Sequence, residues 1–580
     1  MEKRILNKLA KLHDEDMADE YFELLIEFLK SFRDEHEFKR KRKLTNEKDV
    51  ILITYGDQIK KENNQPLQVL KNFLDKYFKE TINTVHILPF FPYSSDYGFS
   101  IIDYTSVNSD FGSWDDIENI KGNFKLMVDL VLNHISRESN WFQEFLKGNP
   151  KYKDYFITVD KSEDLSEVVR PRAKPLLTKV EINNQTKYVW TTFSEDQIDL
   201  NYKNPDVLME MIKILLLYID KGARYLRLDA IAYVWKEIGT SCIHLEQDHI
   251  IVKLFRDILD YIAPEVKIIT ETNVPHKENI SYFGDGHDEA QLVYQFPLPP
   301  LILFSFIKEN TRKLRNWAKI LETPTKYTNF FNFTASHDGI GVRPVENILS
   351  KEGMQSLLDH TLKNKGYISY KKNSDGSKSP YELNISYFNA IVGDLITKGD
   401  RDSQVKKFMA SQAIQISLAG VPGIYFHSLV GTRNYYQGVE KTGEYRSINR
   451  RKYKLERLLE KINDKNSITS KVYNYYIKLL NIRISEKAFN PNAKQKIIDI
   501  DERLFSLMRI STDEEQIIII IINVSSETIN VGLNLKDFSL PKHINLKKLK
   551  NLINKEEIST TDNVLDLDIK PYEINWMTNS

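Results

Sequence analysis

A single cysteine, Cys242, stands in 580 residues, which excludes an internal disulfide framework and a Cys-based zinc cage. No stretch approaches the ~18 uninterrupted apolar residues that a bilayer-spanning helix needs. The opening MEKRILNKLAKLHDEDMADEYFELL mixes acidic and basic residues throughout and lacks the apolar core and small-residue cleavage site of a secretory signal. Charge of one sign is also missing: 81 Lys+Arg balance 81 Asp+Glu, so no long-range field gathers nucleic acid or an anionic membrane. There is no GxxxxGK[ST], no HExxH and no CxxC, and neither an internal repeat nor a low-complexity tract. These absences lead us to expect a cytoplasmic protein with no metal, no cofactor, and neither nucleic acid nor membrane as partner.

What is present is globular: 41% apolar, 28% charged and 11% aromatic residues. Residues 1–47 read as amphipathic helices closing on the basic run Lys39 to Lys43, a solvated face or linker. From there, short apolar runs alternate with helical stretches: VILIT (50–54), TVHILPF (84–90), FKLMVDLVLNH (124–134), ARYLRLDAI (223–231), VKIITET (266–272), AQLVYQF (290–296), FFNFTASHD (330–338) and VPGIYF (421–426). Eight strands alternating with helices predict an α/β fold, a (β/α)8 TIM barrel. One helix illustrates the local logic. Asn204 can cap it, Pro205 fits its first turn, Gly222 ends it, and Val207, Leu208, Met211, Ile212, Leu215 and Ile219 form its packing face.

The expected barrel comprises 48–140, 206–344 and 396–484, interrupted by inserted subdomains at 141–205 and 345–395. After 484 the runs LFSLMRI, IIIIIINV and INVGLNL predict a C-terminal antiparallel β domain at 485–580. The six isoleucines 517–522 have to be buried on both faces, since an exposed strand of this kind would aggregate.

Barrel enzymes carry their chemistry at the C-terminal ends of the strands. In RYLRLDA, strand alternation puts Arg227 and Asp229 on one face, and the guanidinium favours an ionised carboxylate suited to a nucleophile. Glu271 follows the apolar strand VKIIT, surroundings that raise a carboxylic acid toward the range of a general acid. His337 and Asp338 mark a third strand end. Any one of these alone would read as a salt bridge or cap; three together, with VDLVLNH upstream, would not. Cys242, His244, Glu246 and His249 lack a metal-ligand spacing and read as a structural loop. Trp141 and Trp235 read as walls or core. Without a phosphate-cradling glycine loop, side chains must hold any phosphate, and the planar fork of an arginine suits that task.

DLVLNH (129–134), RYLRLDAI (224–231), IITETN (268–273) and TASHD (334–338) resemble the four ordered motifs of the alpha-amylase superfamily, glycoside hydrolase family thirteen. Matched motif to motif, the resemblance implies Asp229 as nucleophile, Glu271 as acid/base and Asp338 as transition-state stabiliser, with Arg227, His134 and His337 around the donor sugar. LITYGDQI, HILPFFPYSSDYGFSIIDY, RPRAKP, GTSCIHLE, SHDGIG and YRSINR are similar to the sucrose phosphorylase branch. That match implies that Asp96 and Arg446 form a pair gripping the outer hydroxyls of one glucosyl unit. It further implies Phe193 at the acceptor mouth and Arg172 on phosphate, with Arg170 structural. The N-terminal extension, Glu382 in PYELN where sucrose phosphorylases carry a glutamine, and ETNVPHKENISYFGDG look more like the glucosylglycerate phosphorylases.

The resemblance thus implies a retaining phosphorylase exchanging a small α-glucoside and inorganic phosphate for α-glucose 1-phosphate. Its two main carboxyl groups should stand ~5 Å apart. The expected glucoside is 2-O-α-glucosylglycerate, with sucrose, glucosylglycerol, and a hydrolase or transglucosidase as alternatives. A non-catalytic barrel ranks low, because all three carboxylates remain. Whether the protein forms a homodimer stays open.

Overall fold

The computed structural model describes residues 1–579 except 374, 539, 540, 542 and 545. All eight expected runs form strands: β1 (Ile51–Thr54), β2 (Thr84–Ile87), β3 (Lys125–Val131), β4 (Ala223–Asp229), β5 (Lys267–Thr270), β6 (Leu292–Tyr294), β7 (Asn329–Phe333) and β8 (Val421–Tyr425). They pair in chain order, every ladder parallel, and β8 closes on β1. Helices cover the outside, so the strands are buried on both faces and read as apolar runs rather than alternating ones. In the helix Pro205–Asp220 the Asn204 side chain accepts from Asp206 N (2.9 Å), and Gly222 then takes φ +102°, a conformation that glycine adopts without strain.

Two excursions leave the C-terminal rim of the barrel. After β3 the chain builds a three-stranded sheet from Thr158–Val159, Leu177–Ile182 and Gln185–Trp190, and a ribbon pairing His134–Ser136 with Gln197–Asp199. After β7, Ile340–Gly341 is joined by the hairpin Tyr367–Lys372 and Lys378–Asn384.

The helices Glu2–Leu12 and Glu15–Glu35 lie against the barrel's outer helices Glu246–Ile262 and Pro205–Asp220. Lys8 and Arg4 both pair with the buried Asp257, and Tyr21 OH donates to Asp206 Oδ1 (2.7 Å). The basic run is also docked: Arg42 Nε donates to Asp260 Oδ1 at 2.9 Å. Among the described residues no helix is long and apolar enough to cross a membrane.

In the C-terminal domain the isoleucine strand Ile517–Asn523 is central, between Leu504–Ile510 and Ile574–Asn579. All six isoleucines are fully buried, and alternation divides them. Ile518, Ile520 and Ile522 join the barrel core, whereas Ile517, Ile519 and Ile521 join a separate core with Leu533, Leu549 and Leu565. Each such side chain is worth about 1.5–3 kcal/mol relative to exposure.

Candidate active site

Every residue expected to act in the site lines one cavity of about 610 Å³ at the C-terminal mouth of the barrel, except Arg227, which lies behind it and is 2% exposed. Strand register explains that guanidinium's position. Arg227 sits opposite Asp129 across the β3–β4 ladder and two residues before Asp229 on the same face. Its Nη1 donates to Asp129 Oδ1 (2.5 Å) and to Asp229 Oδ1 (2.7 Å), while Nη2 stands 3.8 Å from Glu271 Oε2. His86 Nε2, 2.6 Å from Asp129 Oδ2, extends the hydrogen-bonded chain into the barrel interior.

Beyond Asp229 the backbone turns sharply. Ala230 takes φ +50°, a left-handed conformation costly for a residue with a Cβ, and its N–H donates to Glu271 Oε2 (3.3 Å). The turn therefore ties the end of β4 to the acid at the end of β5. Burial is the largest influence on Glu271 and, with Asp229 and Asp338 nearby, pushes its carboxyl to about 7 against the pull of Arg227. Burial also lifts Asp229 above its ordinary value, although Arg227 and His134 pull the other way. From the sequence, Arg227 alone was expected to decide that balance; the depth of the strand end tips it.

Asp338 lies in a different setting. Burial acts upward there too, but Arg446, His337 and Arg450 overcome it and hold the carboxyl well below the usual range. Arg446 Nη1 is 2.6 Å from Asp338 Oδ1, and the same guanidinium forks onto Glu382, with Nε to Oε2 at 2.9 Å. Glu382 comes from the hairpin after β7, where it pairs with Gly341. Asp96 does not ion-pair with Arg446. It stands 3.3 Å from both Arg450 Nη1 and Arg172 Nη2, and Arg172, Arg450 and Arg446 together outweigh burial to hold it well below its ordinary value. The arrangement implied by the resemblance thus differs in detail: Arg450 contacts Asp96, and Arg446 contacts Asp338 and Glu382.

The histidines are held as neutral rings. Burial lowers His337 to about 3 and lowers His134 as well. His337 stacks on Phe99 with centroids 4.6 Å apart, and His134 Nε2 lies 2.9 Å from Phe99 O and 3.1 Å from Gln197 Nε2. Arg172 belongs to the first excursion, its guanidinium 5.5 Å from the Phe193 ring centroid. Together with Asp96, Tyr381, Glu382 and Arg446 it lines both the inner cavity and an open groove of about 2130 Å³ outside, and so stands at the neck between them.

Arg450, Tyr233, Tyr381, Asn273, Gln197 and Phe99 were not singled out from the sequence. Arg450, Phe99, Asn273 and Tyr381 lie inside stretches already matched, so the signal was present; nothing local marks Tyr233 or Gln197. Arg170 donates to Lys174 O within its own loop. His244 Nδ1 meets Tyr282 OH at 3.1 Å and His249 Nδ1 meets Glu289 Oε2 at 2.9 Å. Neither Trp141 nor Trp235 lines the cavity.

Residues 69–348 match the family model of the alpha-amylase catalytic domain. The chain is 51% identical over 477 residues to the glucosylglycerate phosphorylase of Spirochaeta thermophila, covering 82% of this chain and 80% of that protein. It is 41% identical to the glucosylglycerate phosphorylase of Escherichia coli over 93% of each. Among solved structures, the sucrose 6F-phosphate phosphorylase from Thermoanaerobacter thermosaccharolyticum aligns with a TM-score of 0.72 at 27% identity, over 85% of this chain and 96% of that one.

Proposed function

The chain belongs to the alpha-amylase family, in its branch of small-glucoside phosphorylases, and from that premise we propose that it interconverts 2-O-α-glucosylglycerate and phosphate with α-glucose 1-phosphate and glycerate. The reaction is a double displacement with net retention. Asp229 attacks the anomeric carbon while Glu271 gives its proton to the departing glycerate oxygen, leaving a glucosyl ester on Asp229. Phosphate then attacks the same carbon and the Asp229 carboxylate leaves, with Glu271 taking back a proton where phosphate releases one. A carboxyl near 7 suits both halves of that exchange. Asp338, kept ionised by its arginines, holds sugar hydroxyls and stabilises the oxocarbenium-like state. Asp96, Arg446 and the neutral His134 and His337 grip one glucosyl unit. We place the reaction in the cytoplasm, because charged glucose 1-phosphate does not cross a bilayer unaided.

The observation carrying this reading is the neck. Arg172 stands between the paired carboxylates and the outer groove, held by Asp96 and lying over Phe193. A guanidinium there can concentrate and orient phosphate against the competing water. The test mixes enzyme and glucose 1-phosphate with glycerate, fructose, glycerol or no acceptor, and follows phosphate release. Glycerate should be fastest. Fructose ahead by tenfold would move the assignment to sucrose, and equal release without acceptor would make the protein a hydrolase.

A further inference from the structure

Two arginines flank the aromatic pair on the acceptor side of the cavity. Phe193 and Tyr233 meet edge to face, with centroids 5.6 Å apart at 79°. Arg172 covers Phe193. On the far side the Arg343 guanidinium lies against the Tyr233 phenol, and Tyr233 itself lines the cavity with Asp229 and Glu271.

The two arginines differ in their counter-charges. Arg172 has Asp96 at 3.3 Å. Arg343 is half-buried, yet among the described residues no carboxylate lies within 4.0 Å of it. Its charge bears instead on Lys371 and His244, both of which it disfavours as cations. A half-buried guanidinium without a carboxylate at ion-pair distance is free to take its counter-charge from a ligand.

Its position is fixed by backbone contacts. Arg343 opens the turn Arg343–Val345, directly after Ile340–Gly341. Gly341 packs so tightly on Asn273 that a Cβ there would lie 2.6 Å from Asn273 Oδ1, and Val342 N donates to Tyr381 O at 3.1 Å. Asn273 and Tyr381 both line the cavity. Asn273 Oδ1 is buried and has no hydrogen-bond donor.

We infer that Arg343 is the counter-ion for the carboxylate of the acceptor, reached past the Tyr233 phenol, and that Asn273 Oδ1 accepts a hydroxyl of the same molecule. The inference rests on glycerate being the acceptor. It divides the cations that flank the aromatic pair between the two nucleophiles that alternate there, with Arg172 serving phosphate and Arg343 serving the carboxylate. It also explains how glycerol would be refused, since glycerol differs from glycerate in carrying a hydroxymethyl group where the carboxylate would be.

The test measures kcat/KM for glycerate and for glycerol, with glucose 1-phosphate as donor and hydrolysis as internal reference, in the wild type, Arg343→Gln and Arg343→Lys. In Arg343→Gln, selectivity for glycerate over glycerol and over water should fall roughly tenfold to a hundredfold, through the KM of glycerate, as expected for a lost charge-assisted contact. Arg343→Lys should recover part of it. Unchanged selectivity in Arg343→Gln beside a wild type that prefers glycerate would overturn the inference and leave the proposed function standing. So would parallel losses with all three acceptors, which mark a purely structural arginine. A wild type that ignores glycerate would sink the proposed function and this inference together. If Arg343→Gln does not fold, Arg343→Met is measured in its place, and wild-type selectivity there would overturn the assignment.

Discussion

The two sides of the cavity treat largely buried carboxylates in opposite ways. On the side of β7 and the second excursion, Asp338 and Asp96 draw on Arg446, Arg450 and Arg172, and both carboxyls are held well below the ordinary range. On the side of β4 and β5, Asp229 and Glu271 share only Arg227, which already serves Asp129, and both carboxyls rise. Burial acts upward throughout, so the supply of guanidinium groups separates the two sides. The arginine-rich side is organised to grip; the arginine-poor side keeps a proton available for transfer.

Three experiments would break or sharpen that contrast. The largest effect belongs to the arginine-poor side. Asp229→Asn should abolish turnover with every donor, because no glucosyl ester can form without the nucleophile, whereas Glu271→Gln should retain activity on a glucosyl fluoride, whose leaving group needs no proton. The opposite pattern would exchange the two roles. Next, Arg172→Ala removes one guanidinium from the arginine-rich side. Phosphate use should weaken roughly tenfold to a hundredfold, while glucosyl-enzyme formation from the fluoride holds, since Arg450 and Arg446 still keep Asp96 ionised. Equal slowing of both steps would refute a phosphate-specific role. The smallest effect is one of pH. Because the Glu271 carboxyl is raised to about 7, its acid form persists up to neutrality. The kcat/KM for glucosylglycerate should then fall tenfold per pH unit above that point, and the fluoride should show no such limb. An identical limb with both donors would show that another group is titrating.

The barrel was legible because each strand is an apolar run closed by polar residues, a pattern that parallel, doubly covered strands impose. Asp229, Glu271 and Asp338 were legible for a related reason: carboxylates at the ends of such runs have no local structural use. The arginines were harder to read. Arg446 and Arg450 lie four residues apart on one short turn, and which of them reaches Asp96 depends on where that turn meets the barrel mouth. Arg343 was hidden because its neighbours Tyr233 and Tyr381 arrive from β4 and from a hairpin that no periodicity could place against it.

The isoleucine strand has a consequence for synthesis. Its even-numbered side chains complete the barrel's core, its odd-numbered ones the C-terminal core, and its partner Ile574–Asn579 follows later in the chain. While the chain is being made, Ile517–Ile522 emerges with one ladder still open, a sticky edge that a nascent polypeptide must keep from its neighbours. The barrel, for its part, keeps an apolar flank uncovered until that strand docks. The catalytic unit therefore cannot mature ahead of the domain behind it, and a ribosome stalled before the last strand would release an aggregation-prone fragment rather than a smaller enzyme.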